Sequence, residues 1–114
     1  MLVGVGLGPG DPELLTLRAV RLLREATMVF VPGNLAFDLV RSYRPDAVVL
    51  NFPMTNDEAY IRRCLEENAD RIAPYAKEGL AVYGIIGDPN FYSTFSRLCE
   101  VIAARYPDVT FSTE

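Results

Sequence analysis

The chain is 114 residues long, half of them hydrophobic and 23% charged, the balance of one ordinary globular domain. Its net charge of −4, with ten arginines and a single lysine, argues against bulk electrostatic binding of nucleic acid but leaves room for a local arginine site for a carboxylated ligand. With no histidine and no apolar run of ~18 residues, a His-based triad, a His-ligated metal and a membrane-spanning helix are all excluded.

Residues Leu2 to Leu7 alternate apolar side chains with glycine and read as a first strand running into the loop Gly8-Pro9-Gly10. The spacing fails the dinucleotide fingerprint in either register, because the third glycine position falls on Pro9 or on Asp11. No lysine follows to make a phosphate-binding P-loop. What remains is a loop whose backbone approaches a ligand, or glycines that let a strand and a helix pack closely. The opening Met1-Leu2-Val3-Gly4 lacks the basic segment of a signal peptide, so a cytoplasmic location is expected.

Asp11-Pro12-Glu13 reads as a helix start, with Asp as cap, Pro in the first turn and an acid where the helix dipole favours it. Leu15, Ala19, Leu22 and Ala26 then mark one face of a helix of about four turns. Met28 to Val31 is a buried strand ended by Pro32-Gly33, followed by a short helix around Ala36 to Arg41 and a third strand at Ala47 to Leu50. Asn51-Phe52-Pro53-Met54 is the loop at that strand's carboxyl end. Thr55 to Glu58 fits a reciprocal capping box opening a long helix, which Pro74 kinks or resets and Gly79 closes. Cys64 and Cys99 occupy apolar helical positions and are expected as reduced core residues, without metal or redox spacing.

Leu80 to Tyr83 is a fourth strand, and Phe95, Leu98, Cys99, Ile102 and Ala103 mark the face of a helix after it. Gly87-Asp88-Pro89 therefore turns from strand to helix at a strand's carboxyl end, where ligands bind in open α/β sheets. Asp88 is either a carboxylate at a ligand's mouth or a helix cap. Val109 to Ser112 forms a last strand. Strands and helices alternate throughout, which predicts an α/β fold: a five-stranded, mainly parallel sheet flanked by helices. The loops over Gly6–Asp11, Asn51–Met54 and Ile86–Thr94 are expected to share one cleft.

Gly4-Val5-Gly6-Leu7-Gly8-Pro9-Gly10-Asp11-Pro12-Glu13-Leu14-Leu15-Thr16-Leu17 resembles the opening motif of the tetrapyrrole methylases, and Gly87-Asp88-Pro89 resembles their second. Asn51 to Met54 with Gly87 to Phe95 is most similar to one branch, the precorrin-2 or cobalt-factor II C20-methyltransferases of corrin synthesis. The resemblance spans all 114 residues and implies that they are the first of two α/β domains. It implies S-adenosylmethionine as cofactor, against Pro9, Ile86, Gly87, Asp88, Phe91, Tyr92, Ser93 and Thr94, and a tetrapyrrole acceptor facing Gly8, Gly10 and Asp11. Tyr92 serves equally as packing, and Ser93 and Thr94 equally as caps. No catalytic side chain and no metal are expected, because the cofactor supplies the electrophile. A homodimer is expected; nucleic acid and membrane are not. The alternatives are another corrin methyltransferase, a diphthine synthase, or a binding module without turnover.

Overall fold

The computed structural model describes residues 1–8, 11–52, 55–87 and 89–114, with only the backbone of Pro12 and of residues 89–92. Five strands, β1 (Leu2–Gly6), β2 (Met28–Val31), β3 (Val48–Val49), β4 (Ala81–Ile85) and β5 (Phe111–Thr113), form one sheet in the order β3-β2-β4-β1-β5. Every pairing is parallel, so the mainly parallel sheet expected is wholly so. Four helices connect the strands: α1 (Leu17–Glu25), α2 (Asn34–Val40), α3 (Glu58–Glu78) and α4 (Pro89–Arg105). None of the helices is long and apolar enough to cross a membrane, among the described residues.

Strand alternation divides the core in two. Val3, Val5, Leu7, Val29, Val31 and Val82 pack with Ala19 and Leu23 of α1 and Ala36, Leu39 and Val40 of α2. Leu2, Phe30, Ala81, Tyr83 and Ile85 turn to the other face, against Leu65, Ala69 and Ile72 of α3 and Leu98 and Ile102 of α4. The glycines that alternate with β1's valines thus belong to the α4 face. At Gly4 an added Cβ would lie 2.7 Å from the Phe95 ring, so the missing side chain is the seat of α4 on the sheet. Gly4 pairs across the sheet with Tyr83, whose ring centroid is 5.1 Å from that of Phe95.

Three local expectations change. The first helix is split: Asp11 caps a 3-10 turn over Pro12–Leu14, with its carboxylate accepting from the Glu13 N–H at 2.9 Å. The chain then extends through Leu15, and Thr16 caps α1 by accepting from the Ala19 N–H at 3.0 Å. A second good cap four residues inside the segment lets Leu15 reach the α1/α2 core. The expected capping box shifts as well. Asp57, immediately before α3, accepts from the Tyr60 N–H, while Thr55 only closes a turn on Asp57. Pro74 does not divide α3, whose end is closed by the Gly79 N–H on the Tyr75 carbonyl and by the Met1 ammonium on the Ala76 and Gly79 carbonyls.

Candidate functional site at the carboxyl edge

β4 is inserted between β2 and β1, so the loops carrying the two glycine motifs leave adjacent strands. From β1 the chain passes to α1 on one face of the sheet; from β4 it passes to α4 on the other. Divergence of neighbouring connections is what opens a crevice at the carboxyl ends of a parallel sheet. The register carries Gly6 opposite Ile85, and the Leu7 N–H donates to the Ile85 carbonyl at 2.7 Å. One step further the Gly87 N–H reaches the Gly8 carbonyl at 3.4 Å, so the two motifs touch through backbone alone.

These two glycines do different work. Gly8 has φ +73°, a conformation that other residues adopt at a cost, which turns the chain sharply out of the strand. Gly87 lies outside that left-handed region, so no disfavoured backbone angle explains it. An added Cβ there would meet the Gly8 carbonyl at an ordinary 3.6 Å. A Cβ at Gly87 would therefore rest in ordinary contact with the Gly8 carbonyl, in space that the glycine leaves unfilled.

The other expected site residues separate. Ile86 is half-buried and packs toward the α1/α2 core. Ser93 is exposed on α4. Thr94 is half-buried and lines a cavity of about 130 Å³ with Phe52, Ile61, Cys64, Leu65 and Arg97. Asp11 is exposed and its carboxylate is engaged as the cap of its own turn. Pro9, Gly10 and Asp88 lie outside the described residues, as do the side chains of Phe91 and Tyr92. Of the three loops expected to converge, those after β1 and β4 meet. The loop after β3 leaves the sheet's edge, and Phe52 reaches back to the Tyr83 ring at 6.4 Å.

Three features escaped the sequence reading. Asn68, buried on α3, donates to the Asn51 carbonyl at 2.9 Å and so anchors the loop after β3; its signal was an amide on an otherwise apolar helix face. Arg97, midway along α4, pairs at 3.0 Å with Glu58, the first residue of α3. The Phe95 ring on Gly4 sets how closely α4 packs on the sheet.

The site's electrostatics offer no activated nucleophile among the described residues. Burial, then neighbouring Glu100, pushes the Cys99 thiol up to about 11, so it stays protonated at neutral pH. Burial, then Cys99, also pushes the Tyr83 phenol well above its usual range. Among the described residues the Tyr83 hydroxyl is buried without a partner, a cost that burial of its ring between Phe52 and Phe95 offsets. Groups with strong partners lie elsewhere: Arg105 and the Tyr106 hydroxyl both bond to Asp70, and Arg44 spans Asp46 and the Leu23 and Ala26 carbonyls at the end of α1.

Residues 1–113 match the family model of the Tetrapyrrole (Corrin/Porphyrin) Methylases. The chain belongs to the tetrapyrrole methylase family. It is 31% identical over 114 residues to a probable cobalt-precorrin-2 C(20)-methyltransferase of Methanocaldococcus jannaschii, covering 93% of this chain and 49% of that protein. It is 34% identical over 123 aligned residues to a precorrin-2 C(20)-methyltransferase of Sinorhizobium sp., covering 93% and 50%. A cobalamin-synthesis-related protein (CobF) from Corynebacterium diphtheriae superposes with a TM-score of 0.68 at 25% identity, over all of this chain and 51% of that one. The chain thus spans about half the length of each of these three relatives.

Proposed function

We propose that this chain is the cofactor-binding half of an S-adenosylmethionine-dependent C-methyltransferase acting at C20 of precorrin-2 or cobalt-factor II. The observation that carries the reading is the meeting of Gly8 and Gly87 at the divergence of β1 and β4. That contact brings both family motifs to one crevice, and at Gly87 no side chain stands between a ligand and the backbone. The names of the two curated relatives favour C20 over other corrin positions and over diphthine.

In this reading Ile86, Gly87 and Asp88, with Pro9, Phe91, Tyr92, Ser93 and Thr94, hold the cofactor, and Gly8, Gly10 and Asp11 face the acceptor. Bound S-adenosylmethionine supplies an electrophilic methyl group, so the protein needs neither a nucleophile nor a metal. Gly8 and Gly87 offer backbone without side chains in the way. Ile86 and Phe95, on either side of the loop after β4, tie its two ends to opposite core layers. Positioning of this kind supplies on the order of 7–11 kcal/mol of a barrier when both reactants are held.

The reading includes a second α/β domain and association as a homodimer. Leu14, Leu17 and Leu35, exposed at 59%, 90% and 62% beside the carboxyl edge, support an apolar contact surface there. The test offers the folded 114-residue chain S-adenosylmethionine, with precorrin-2 or cobalt-factor II as acceptor. Weak saturable cofactor binding without C20-methylated product is expected. No cofactor binding at millimolar concentration refutes the cofactor assignment, and turnover matching a full-length relative refutes the half-site.

A further inference from the structure

Arg44 and Arg105 are each locked into the fold by several partners, whereas Arg97 is held by one exposed carboxylate, that of Glu58. Arg44 is wrapped into the end of α1, and Arg105 is gripped by Glu66 and both Asp70 oxygens. Arg97 instead stands at the cavity formed by Phe52 after β3, Ile61, Cys64 and Leu65 of α3, and Thr94 one turn before it on α4. The walls are largely apolar, and among the described residues the guanidinium is the one cation of the lining. Its ion pair with Glu58 is exposed on both sides, 44% and 75%. A pair so exposed is weakly held, and its arginine is free to exchange one carboxylate for another.

We propose that this cavity receives a carboxylate-ended side arm of the acceptor, the aliphatic stem against Phe52, Ile61 and Leu65 and the carboxylate on Arg97 in place of Glu58. The inference rests on the methyltransferase reading, which makes the acceptor a polycarboxylate. A chain of net charge −4 repels such a molecule overall, so its capture needs a cation placed locally at the crevice. Arg97 lies on the same helix as the second motif, two turns past Asn90, and its planar fork suits a carboxylate. Glu58 then acts as a stand-in that keeps Arg97 extended over the cavity until the acceptor displaces it.

The probe is uroporphyrin III, a stable tetrapyrrole whose arms end in carboxylates, titrated with the chain while its fluorescence is followed. Arg97→Gln is expected to weaken binding about tenfold or more, and Arg97→Lys about threefold, since the charge stays and the fork is lost. Glu58→Gln, which removes the competitor, tightens binding about twofold. Arg105→Gln makes the same change in net charge about 12 Å along the helix and leaves affinity within about twofold. Wild-type chain that does not bind uroporphyrin saturably, Arg97→Gln that binds as well as wild type, or Arg105→Gln that weakens binding as much as Arg97→Gln each overturns the inference. S-adenosylmethionine affinity, measured by calorimetry on the same samples, is expected to be equal in wild type and Arg97→Gln. Its loss in Arg97→Gln alone places Arg97 in the cofactor site and overturns the inference. Its absence from both refutes the methyltransferase reading while the uroporphyrin comparison still decides the arm site.

Discussion

Replacing Gly4 with alanine drives a methyl group into the ring that seats α4. An ideal Cβ at Gly4 stands 2.7 Å from Cε2 and Cζ of Phe95 and 2.9 Å from Cδ1 of Ile85. Carbon atoms rest about 3.5–4.0 Å apart, so the ring must retreat by about 1 Å. It has little room: Phe95 is 5% exposed and stacked beside Tyr83, and Ile85 is fully buried in a central strand. Overpacking of this kind costs about 1–3 kcal/mol. Against it, replacing glycine lowers the entropy of the unfolded chain, a gain of about 0.4–1 kcal/mol. The balance is a loss of about 1–2 kcal/mol, read as a lower urea midpoint at unchanged slope. Phe95→Leu removes the obstructing ring edge, so the double variant should recover about 1 kcal/mol relative to the sum of the single changes. A Gly4→Ala chain as stable as wild type, or strictly additive effects, would refute the seat. Because Phe95 adjoins Thr94, the same single variant should also weaken S-adenosylmethionine binding if α4 positions the motif.

Gly87→Ala behaves in the opposite way: with 3.6 Å to the Gly8 carbonyl and no left-handed backbone, it should change stability by less than about 0.5 kcal/mol. Its methyl group occupies the space that the glycine leaves unfilled, so S-adenosylmethionine affinity should fall, and unchanged affinity in calorimetry removes Gly87 from the site. In a Cys64→Ala background, Cys99 should react with a disulfide reagent at pH 8 at least about tenfold more slowly in the folded chain than in urea. Raising the thiol from 9.0 to about 11 cuts the thiolate fraction about a hundredfold, and the greater nucleophilicity of the more basic thiolate restores only about tenfold of that. Since the folded value is the higher one, this thiol's contribution to stability is present below about pH 9 and is lost as pH rises through about 11. Equal folded and unfolded rates would contradict its burial.

The alternation of apolar runs with helical periods was enough to predict the α/β class, because the inner strands β1, β2 and β4 are buried on both faces and each helix on one. Sheet order was not legible. Nothing local to Leu80–Tyr83 says that this strand inserts between the first two, and only that insertion puts Gly87 against Gly8. The glycines of β1 illustrate a second limit. Their spacing left a ligand loop and close packing both open, and the structure divides the two: Gly4 serves packing, through a residue far away in sequence, while Gly8 makes the turn. Thr16 and Asp57 displaced the expected caps because competing capping residues lie within five positions of each other, and only the packing of Leu15 and α3 chooses among them. Arg97 gave no sequence signal, since a single arginine on a helix reads as solvated surface until a cavity is seen beneath it.

The position of the crevice has a consequence for what one such domain can do. Strand ends, loops and the first turns of α1 and α4 give a ligand a floor, and the diverging connections give it two sides. The layers of the core lie below that floor, in the two helix pairs and the sheet between them. In the proposed reading a cofactor on Gly8 and Gly87 would keep one face open to water, where each hydrogen bond contributes only about 0.5–1.5 kcal/mol net. Loose contacts of that size hold a small molecule but do not orient it, and the large rate gain from positioning requires both partners to be fixed at once. A binding floor without a lid therefore favours weak affinity and no turnover. The curated relatives, about twice as long, have the chain length to cover the same floor.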